Sequence, residues 1–156
     1  MKLSDALGRE HRFEAPPRRI VSLVPSITET LFAFGLDETI VGATDYCVHP
    51  ADRLAQVPRV GGTKGLRVED VLALEPDLVI ANREENRRAQ IDRLEACGIR
   101  VFVTYARTLP EAVREIQALG RLTQCDSAAD AIARAVSEAL DEVSDLPRLR
   151  VLGLIW

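Results

Sequence analysis

The order of elements along this chain predicts an α/β fold, a parallel β-sheet flanked by helices and followed by one long helix. Three observations predict it. Four short apolar, β-branched runs (residues 19–24, 39–44, 77–81 and 99–105) alternate with helix signals, the pattern of strands joined by crossover helices. Polar or ring-bearing residues follow each run: Pro25 and Ser26, Asp45 and Tyr46, Asn82 to Asn86, and Tyr105 to Arg107. Open α/β sheets bind ligands beyond the carboxyl ends of their strands, so this recurrence points to one binding rim. Finally, residues 126–143 carry a single apolar stripe, longer than any other helical pattern in the chain.

Residues 1–15 predict a short hairpin, with 5–8 as its turn and 11–13 as its return, and Pro16 and Pro17 lead out of it. Residues 18–35, RRIVSLVPSITETLFAFG, read as a strand, a tight polar turn and a helix. Pro25 stops the strand because proline cannot donate to a ladder. Ser26 stands three residues before Glu29, the spacing of a capping box, and Gly35 closes the helix. Locally this is an ordinary capped βα unit; its free N–H groups are also a natural place to present a ligand. Residues 39–44 are the second strand, 45–50 a loop and 50–54 one helical turn.

The glycine-rich stretch 60–67, VGGTKGLR, has neither the spacing of a P-loop nor that of a dinucleotide fingerprint. Residues 67–74 form a short helix that Pro76 breaks. The third strand, 77–81, leads into a polar turn over 82–87. A helix over 88–97 places Ile91, Leu94 and Cys97 on one side and ends at Gly98. After the fourth strand, Thr108 caps a helix over 109–122, with Pro110 near its first position. The long helix follows, its stripe made of Ala129, Ile132, Ala133, Val136, Ala139, Leu140 and Val143. Residues 150–156, RVLGLIW, read as the start of a fifth strand whose edge would be unpaired if the fold ended there.

Hydrophobic residues make up 47% of the 156 and charged residues 28%, the balance of a soluble globular chain able to bury a core. A net charge of −4 leaves no basic footprint for nucleic acid, and no run has the length of a membrane span. Residues 1–19 are polar and charged with no apolar h-region, so no signal peptide is expected and the chain as written starts in the cytosol. Three cysteines without a CxxC exclude a disulfide framework, and Cys97 and Cys125 are expected as buried thiols.

Asp45, Tyr46, Cys47 and His49 form the most reactive-looking cluster. Cys47 and His49, with Glu84 or Glu85 from another loop, have the donor types of a transition-metal site. The same residues also suit a loop that contacts ligand, or a purely structural loop. A Cys–His hydrolase would need a further partner and a geometry that two residues so close in sequence do not readily give. Glu69, in the first turn after the glycine-rich stretch, reads as a dipole-stabilising residue or as an exposed acid that docks an arginine on a partner. Arg83, Arg87 and Arg88 with Glu84 and Glu85 form a solvated charged turn or a surface for polar and anionic ligand groups.

Taken together, PRRIVSLVPSITETLFAFGL, VGATDYCVHP, PRVGGTKGLRVEDVLALEPDLVIAN and QIDRLEACGIRVFV resemble the cobalamin and iron-siderophore class of periplasmic substrate-binding proteins. These are the helical-backbone receptors that serve ABC importers, and the resemblance runs from about residue 3 to residue 156. It implies two α/β lobes joined by a rigid helix, with ligand in the cleft between them. The divisions would be an N-terminal extension (1–17), one ligand-binding lobe (18–125), the backbone helix (126–145) and the first strand of a second lobe lying outside this sequence (146–156).

The resemblance also implies a non-catalytic protein with no permanently bound cofactor, whose ligand is cobalamin or a ferric chelate and whose partner is an ABC permease and ATPase complex. By position, Tyr46 matches a ring that packs on a corrinoid, and Gly62, Thr63 and Lys64 match a loop lining the same site, where a Trp is often found. Pro25 and Ser26 match its floor, Arg83 and Asn86 a rim loop, and Glu69 the acid that docks the permease. Asp45, Asn82 and Tyr105 complete the expected ligand contacts. Family members carry a signal peptide or a lipobox, so the resemblance implies a periplasmic location where the sequence itself shows no leader. The competing expectation is a cytosolic metal-handling or metal-sensing protein using Cys47, His49 and Glu85.

Overall fold

The structure, a computed structural model, describes residues 1–144 together with 147 and 150. It opens on a two-stranded antiparallel hairpin, β1 (Lys2–Ser4) and β2 (Glu10–Arg12). A four-stranded parallel sheet follows, built from β3 (Ile20–Ser22), β4 (Ile40–Ala43), β5 (Leu78–Asn82) and β6 (Val101–Thr104). Its strand order is β4-β3-β5-β6. The helices are α1 (Pro25–Ala33), α2 (Ala51–Leu54), α3 (Val68–Ala73), α4 (Arg88–Ala96), α5 (Leu109–Thr123) and α6 (Asp126–Ser144). The predicted parallel sheet flanked by helices, with a long helix after it, is therefore what the chain forms. The expected strand over 150–156 lies outside the described residues, apart from Arg150.

The strands are buried on both faces, and alternate residues feed two separate cores. Ile20, Leu78, Ile80 and Phe102 pack with α1, α5 and α6 through Leu31, Phe32, Leu119, Leu122 and Ala129. Val21, Val79, Ala81, Val101 and Val103 pack with α3 and α4 through Val68, Val71, Ile91 and Leu94. This period-2 division between two apolar faces is why the strands read as continuous hydrophobic runs. Gly120 brings α5 against α6: a Cβ there would lie 2.3 Å from that of Ala129.

Three local expectations need correction. Ser26 does not cap α1. The helix begins at Pro25, its N-cap is Val24, and no side chain caps it. Proline's fixed φ and missing N–H suit the first helical position, so the start lies two residues earlier than a Ser26 cap requires. The other end is as expected, a Schellman turn in which Gly35 (φ 79°) donates to Phe32 and Leu36 to Leu31. Cys97 is exposed and Cys125 half-buried. Cys97 is the C-cap of α4, past the last residue that faces the sheet. Leu109, in the first turn of α5, is 54% exposed.

The hairpin is clamped across the edge of β6. Ala6 donates to the Val103 carbonyl at 2.8 Å, which covers an otherwise free strand edge. Asp5, its carboxylate fully buried, accepts from the Leu7 and Arg9 N–H groups at 2.9 and 3.0 Å and from Arg9 Nε at 2.8 Å. Arg9 continues to the Val101 carbonyl at 3.0 Å and to Glu95 on α4. Burial alone would raise the Asp5 pKa; hydrogen bonds from Arg9 and His11 outweigh it and hold the carboxyl below the ordinary aspartate value. A depressed folded-state pKa stabilises the protein above the unfolded-state pKa, and that stabilisation is lost as pH falls through the folded value. Asp5→Asn should cost about 1–3 kcal/mol in urea unfolding at about pH 7. The gap between variant and parent should narrow as pH falls through the lowered Asp5 value, and a gap independent of pH would show that the charge is not the stabilising feature.

Candidate functional site

The carboxyl ends of the four parallel strands open onto one rim. The order β4-β3-β5-β6 sends the chain first to one side of β3 and then to the other, so the crevice between β3 and β5 is the topological switch point where such sheets bind ligands. Asn86, only 5% exposed, sits there. Its Oδ1 accepts from Asn82 N–H at 2.8 Å; its Nδ2 donates to the Thr63 carbonyl at 3.1 Å and to the Leu23 carbonyl at 3.4 Å. One side chain thus ties together the turn after β5, the glycine-rich loop and the exit of β3. Asn82 shapes the same turn, since its Oδ1 accepts from Glu84 and Glu85 N–H and its Nδ2 donates to Thr104 Oγ1. Both asparagines were expected to contact ligand. In the structure their amide groups make these internal hydrogen bonds, and both residues border an open depression of about 550 Å³.

A buried polar cluster holds the other two loops. Thr28 Oγ1 donates to Ser22 Oγ at 2.7 Å and to the Val24 carbonyl at 2.9 Å. Cys47, 1% exposed, places Sγ 3.2 Å from both Thr28 Oγ1 and Thr44 Oγ1. Arg59 Nη1 donates to the Thr44 and Cys47 carbonyls at 2.9 and 2.6 Å and pins the turn carrying Asp45 and Tyr46. Arg67 donates to the Arg59 carbonyl at 2.7 Å and stands 4.0 Å from Asp45. The expected metal trio does not assemble. Cys47 points into the core, His49 is exposed and Glu85 is half-buried on another loop. Among the described residues no group of three or more His, Cys, Asp or Glu side chains is placed to hold a metal ion.

Outward from these supports lie the groups free to meet a ligand. Tyr46 is 63% exposed, and its ring lies over Gly62, where a Cβ would come within 3.1 Å of Cε2. Gly61 (φ 94°) turns the loop so tightly that a Cβ would lie 2.5 Å from the Gly65 carbonyl, which only glycine allows. Pro25 and Thr63 are half-buried, and Ser26, Asp45, Lys64 and Arg83 are exposed. Lys64 donates to the Glu84 carbonyl. Burial raises the Glu85 pKa, with the Lys64 charge opposing it. Tyr105 is half-buried; its N–H donates to Glu115 at 2.8 Å and its hydroxyl to Glu84 at 3.2 Å. Burial likewise raises the pKa of Glu115, opposed by that N–H and by the Thr104 hydroxyl. Glu69 is exposed in the first turn of α3 and pairs with Arg93 of α4.

A family model described as periplasmic binding protein matches residues 20–146. The chain belongs to the periplasmic binding protein family. Among relatives, it is 31% identical over 147 residues to an uncharacterized ABC transporter substrate-binding lipoprotein, YvrC, of Bacillus subtilis, a match covering 92% of this chain and 46% of the relative. Among solved structures, a periplasmic heme-binding protein from Pseudomonas aeruginosa superposes with a TM-score of 0.76 at 30% identity, covering 83% of this chain and 46% of that one. The periplasmic vitamin B12-binding protein of Vibrio cholerae gives 0.74 at 28%, covering 82% and 50%. The chain spans about half the length of the curated relatives it matches. Among the described residues, no helix of this family member is long and apolar enough to cross a membrane.

Sequence reasoning found the rim loops but missed the arginines that fix them, because Arg59 and Arg67 reach backbone carbonyls that no local pattern reveals. Asn86→Ala should destabilise the protein by about 1–3 kcal/mol, since it strands buried carbonyls and an N–H. Lys64→Ala, at the exposed end of the same region, should change stability by less than about 0.5 kcal/mol. Denaturant titration of the two variants checks the contrast, and equal effects would remove the distinction between support and contact residues.

Proposed function

We propose that this chain forms one wall of the ligand cleft in a non-catalytic substrate-binding protein that delivers cobalamin, haem or another ferric chelate to an ABC importer. The observation that carries the reading is the convergence of four strand-end loops on one rim, with the Tyr46 ring exposed over Gly62. An aromatic face backed by glycine suits a flat, rigid, largely apolar chelate, which buries area against the ring with little loss of side-chain freedom. Pro25 and Ser26 form the floor beside it, with Asp45, Thr63 and Lys64 on one side and Arg83 and Tyr105 on the other.

Such a protein would act on the outer side of the cytoplasmic membrane, in the periplasm or held there as a lipoprotein, a reading that the family match supports. The division into an N-terminal extension (1–17), a ligand-binding lobe (18–125), a backbone helix (126–145) and the beginning of a second lobe (146–156) is part of the same proposal. α6 supports it: Ala129 and Ala133 are buried near its start, while Val143 is 53% exposed near its end. Glu69 would dock the permease, with an arginine of that partner exchanging for Arg93.

Calorimetric titration of the full-length protein with cyanocobalamin, ferric protoporphyrin and ferric hydroxamates tests the ligand class. At least one should bind, and Tyr46→Ala should weaken it by about tenfold, or about 1.4 kcal/mol. No binding to any of them at protein concentrations well above micromolar would sink the reading. Glu69→Ala should lower uptake while leaving ligand affinity unchanged; an equal fall in affinity would make Glu69 a structural residue.

A further inference from the structure

Tyr46 presents its ring to solvent and, among the described residues, makes no hydrogen bond of its own, so its position is set by the residues on either side. On one side, Asp45 N–H donates to the Gly61 carbonyl at 2.9 Å. On the other stands Cys47, whose thiol is buried and cannot meet a ligand. Its sulfur is the middle of a chain of buried polar groups. Thr44 Oγ1 and Thr28 Oγ1 each lie 3.2 Å from it. Thr28 Oγ1 lies 2.7 Å from Ser22 Oγ and 2.9 Å from the Val24 carbonyl, and Ser22 Oγ lies 3.3 Å from that same carbonyl. Ser22, Thr28 and Thr44 are fully buried, so these groups depend on one another.

Counting protons fixes the direction of the chain. Ser22, Thr28, Thr44 and Cys47 bring four side-chain protons to five contacts. All four protons are used only when Thr44 donates to the sulfur and the thiol donates to Thr28. Thr28 and Ser22 then share the remaining bonds between themselves and the Val24 carbonyl. In the reverse order, with Thr28 donating to the sulfur and the thiol to Thr44, the Thr44 proton is left buried without an acceptor, which is costly. The sulfur therefore accepts from the turn after β4 and donates to α1. The far end of the chain, Val24, is the N-cap of α1 and immediately precedes Pro25 and Ser26.

We infer that Cys47 is a positioning residue: its thiol, accepting from Thr44 and donating to Thr28, locks the turn that carries Tyr46 to the start of α1 and sets the pose of the ring before ligand arrives. This rests on the reading of the rim as the ligand site and adds to it the group that preorganises the exposed ring. Arg59 holds the same turn through the Thr44 and Cys47 carbonyls, but its bonds do not reach α1. Among the described residues the thiol is the hydrogen-bonding link between that turn and α1. The role needs one donor and one acceptor at position 47, which a serine hydroxyl also offers and an alanine methyl does not.

The test uses the full-length protein labelled with meta-fluorotyrosine, its fluorine NMR lines assigned with Tyr46→Phe and Tyr105→Phe. Cys47→Ser should keep the parent's Tyr46 line. Cys47→Ala and Thr44→Val should shift that line and broaden it at least about twofold, as the ring samples more than one pose. The Tyr105 line should stay unchanged in all three, which separates a local effect from a loss of fold. Calorimetry with ferric protoporphyrin and cyanocobalamin should show the same split. For the probe that binds, affinity should stay within about twofold of the parent in Cys47→Ser and fall by about five- to tenfold in Cys47→Ala and Thr44→Val. An unchanged Tyr46 line in Cys47→Ala would overturn the inference. So would a serine variant as perturbed as the alanine one, since the sulfur's volume and not its bonds would then set the ring. A shifted and broadened line with unchanged affinity would also overturn it, leaving Cys47 a structural residue. Failure of the parent to bind either probe or ferric hydroxamates would overturn the ligand reading, while the fluorine lines would still decide whether the thiol holds the ring.

Discussion

The side-chain amide of Asn86 is the joint on which the rim depends. A parallel sheet whose second strand lies on one side of the first, and whose third lies on the other, leaves a crevice between the first and third strands. Backbone groups at the mouth of that crevice have no ladder partner, and leaving them buried and unpaired would be costly. Asn86 closes it by bonding the Leu23 and Thr63 carbonyls and the Asn82 N–H. Three loops from distant parts of the sequence are thereby held relative to one another by one buried group.

Around that joint, the polar residues divide by depth. Ser22, Thr28, Thr44, Asn86 and Thr104 are all buried at or just beneath the carboxyl ends of the strands, and Cys47 completes the set. Their hydrogen bonds run to neighbouring loops, which makes the rim a shaped surface rather than four independent turns. The layer above them is charged or aromatic and exposed: Tyr46, Lys64, Arg83 and Arg107. A rigid base carrying exposed rings and cations suits a bulky, rigid ligand, because little side-chain order remains to be lost on binding.

Much of the fold was legible because its signals are local. Alternating apolar runs and helix stops placed every strand and helix of the parallel sheet to within a few residues, and the Thr108 cap and the Gly35 and Gly98 ends lie where their chemistry predicts. Ser26 was misread because two local rules competed there, and the proline at the first helical position prevailed over the capping box. The site was legible as a set of loops but not as roles. Asn82 and Asn86 read as ligand contacts in a polar turn, and only the fold shows that their amides also tie that turn to Thr104, Leu23 and Thr63. Cys47 and His49 are two apart in sequence yet face opposite environments, core and solvent. The Arg83 and Arg107 pair, 24 positions apart, meets at Tyr105 only because β5 and β6 are neighbours in the sheet.

The central claim is that ligand meets this protein at the carboxyl ends of the parallel strands. Hydrogen–deuterium exchange of the full-length protein, with and without saturating ferric protoporphyrin or cyanocobalamin, tests it directly. The account predicts new protection in residues 45–48, 61–65, 82–86 and 105–107, with none at the opposite end of the sheet in residues 36–39, 75–77 and 98–100. Protection concentrated at that opposite end, with the four rim loops unchanged, would contradict it.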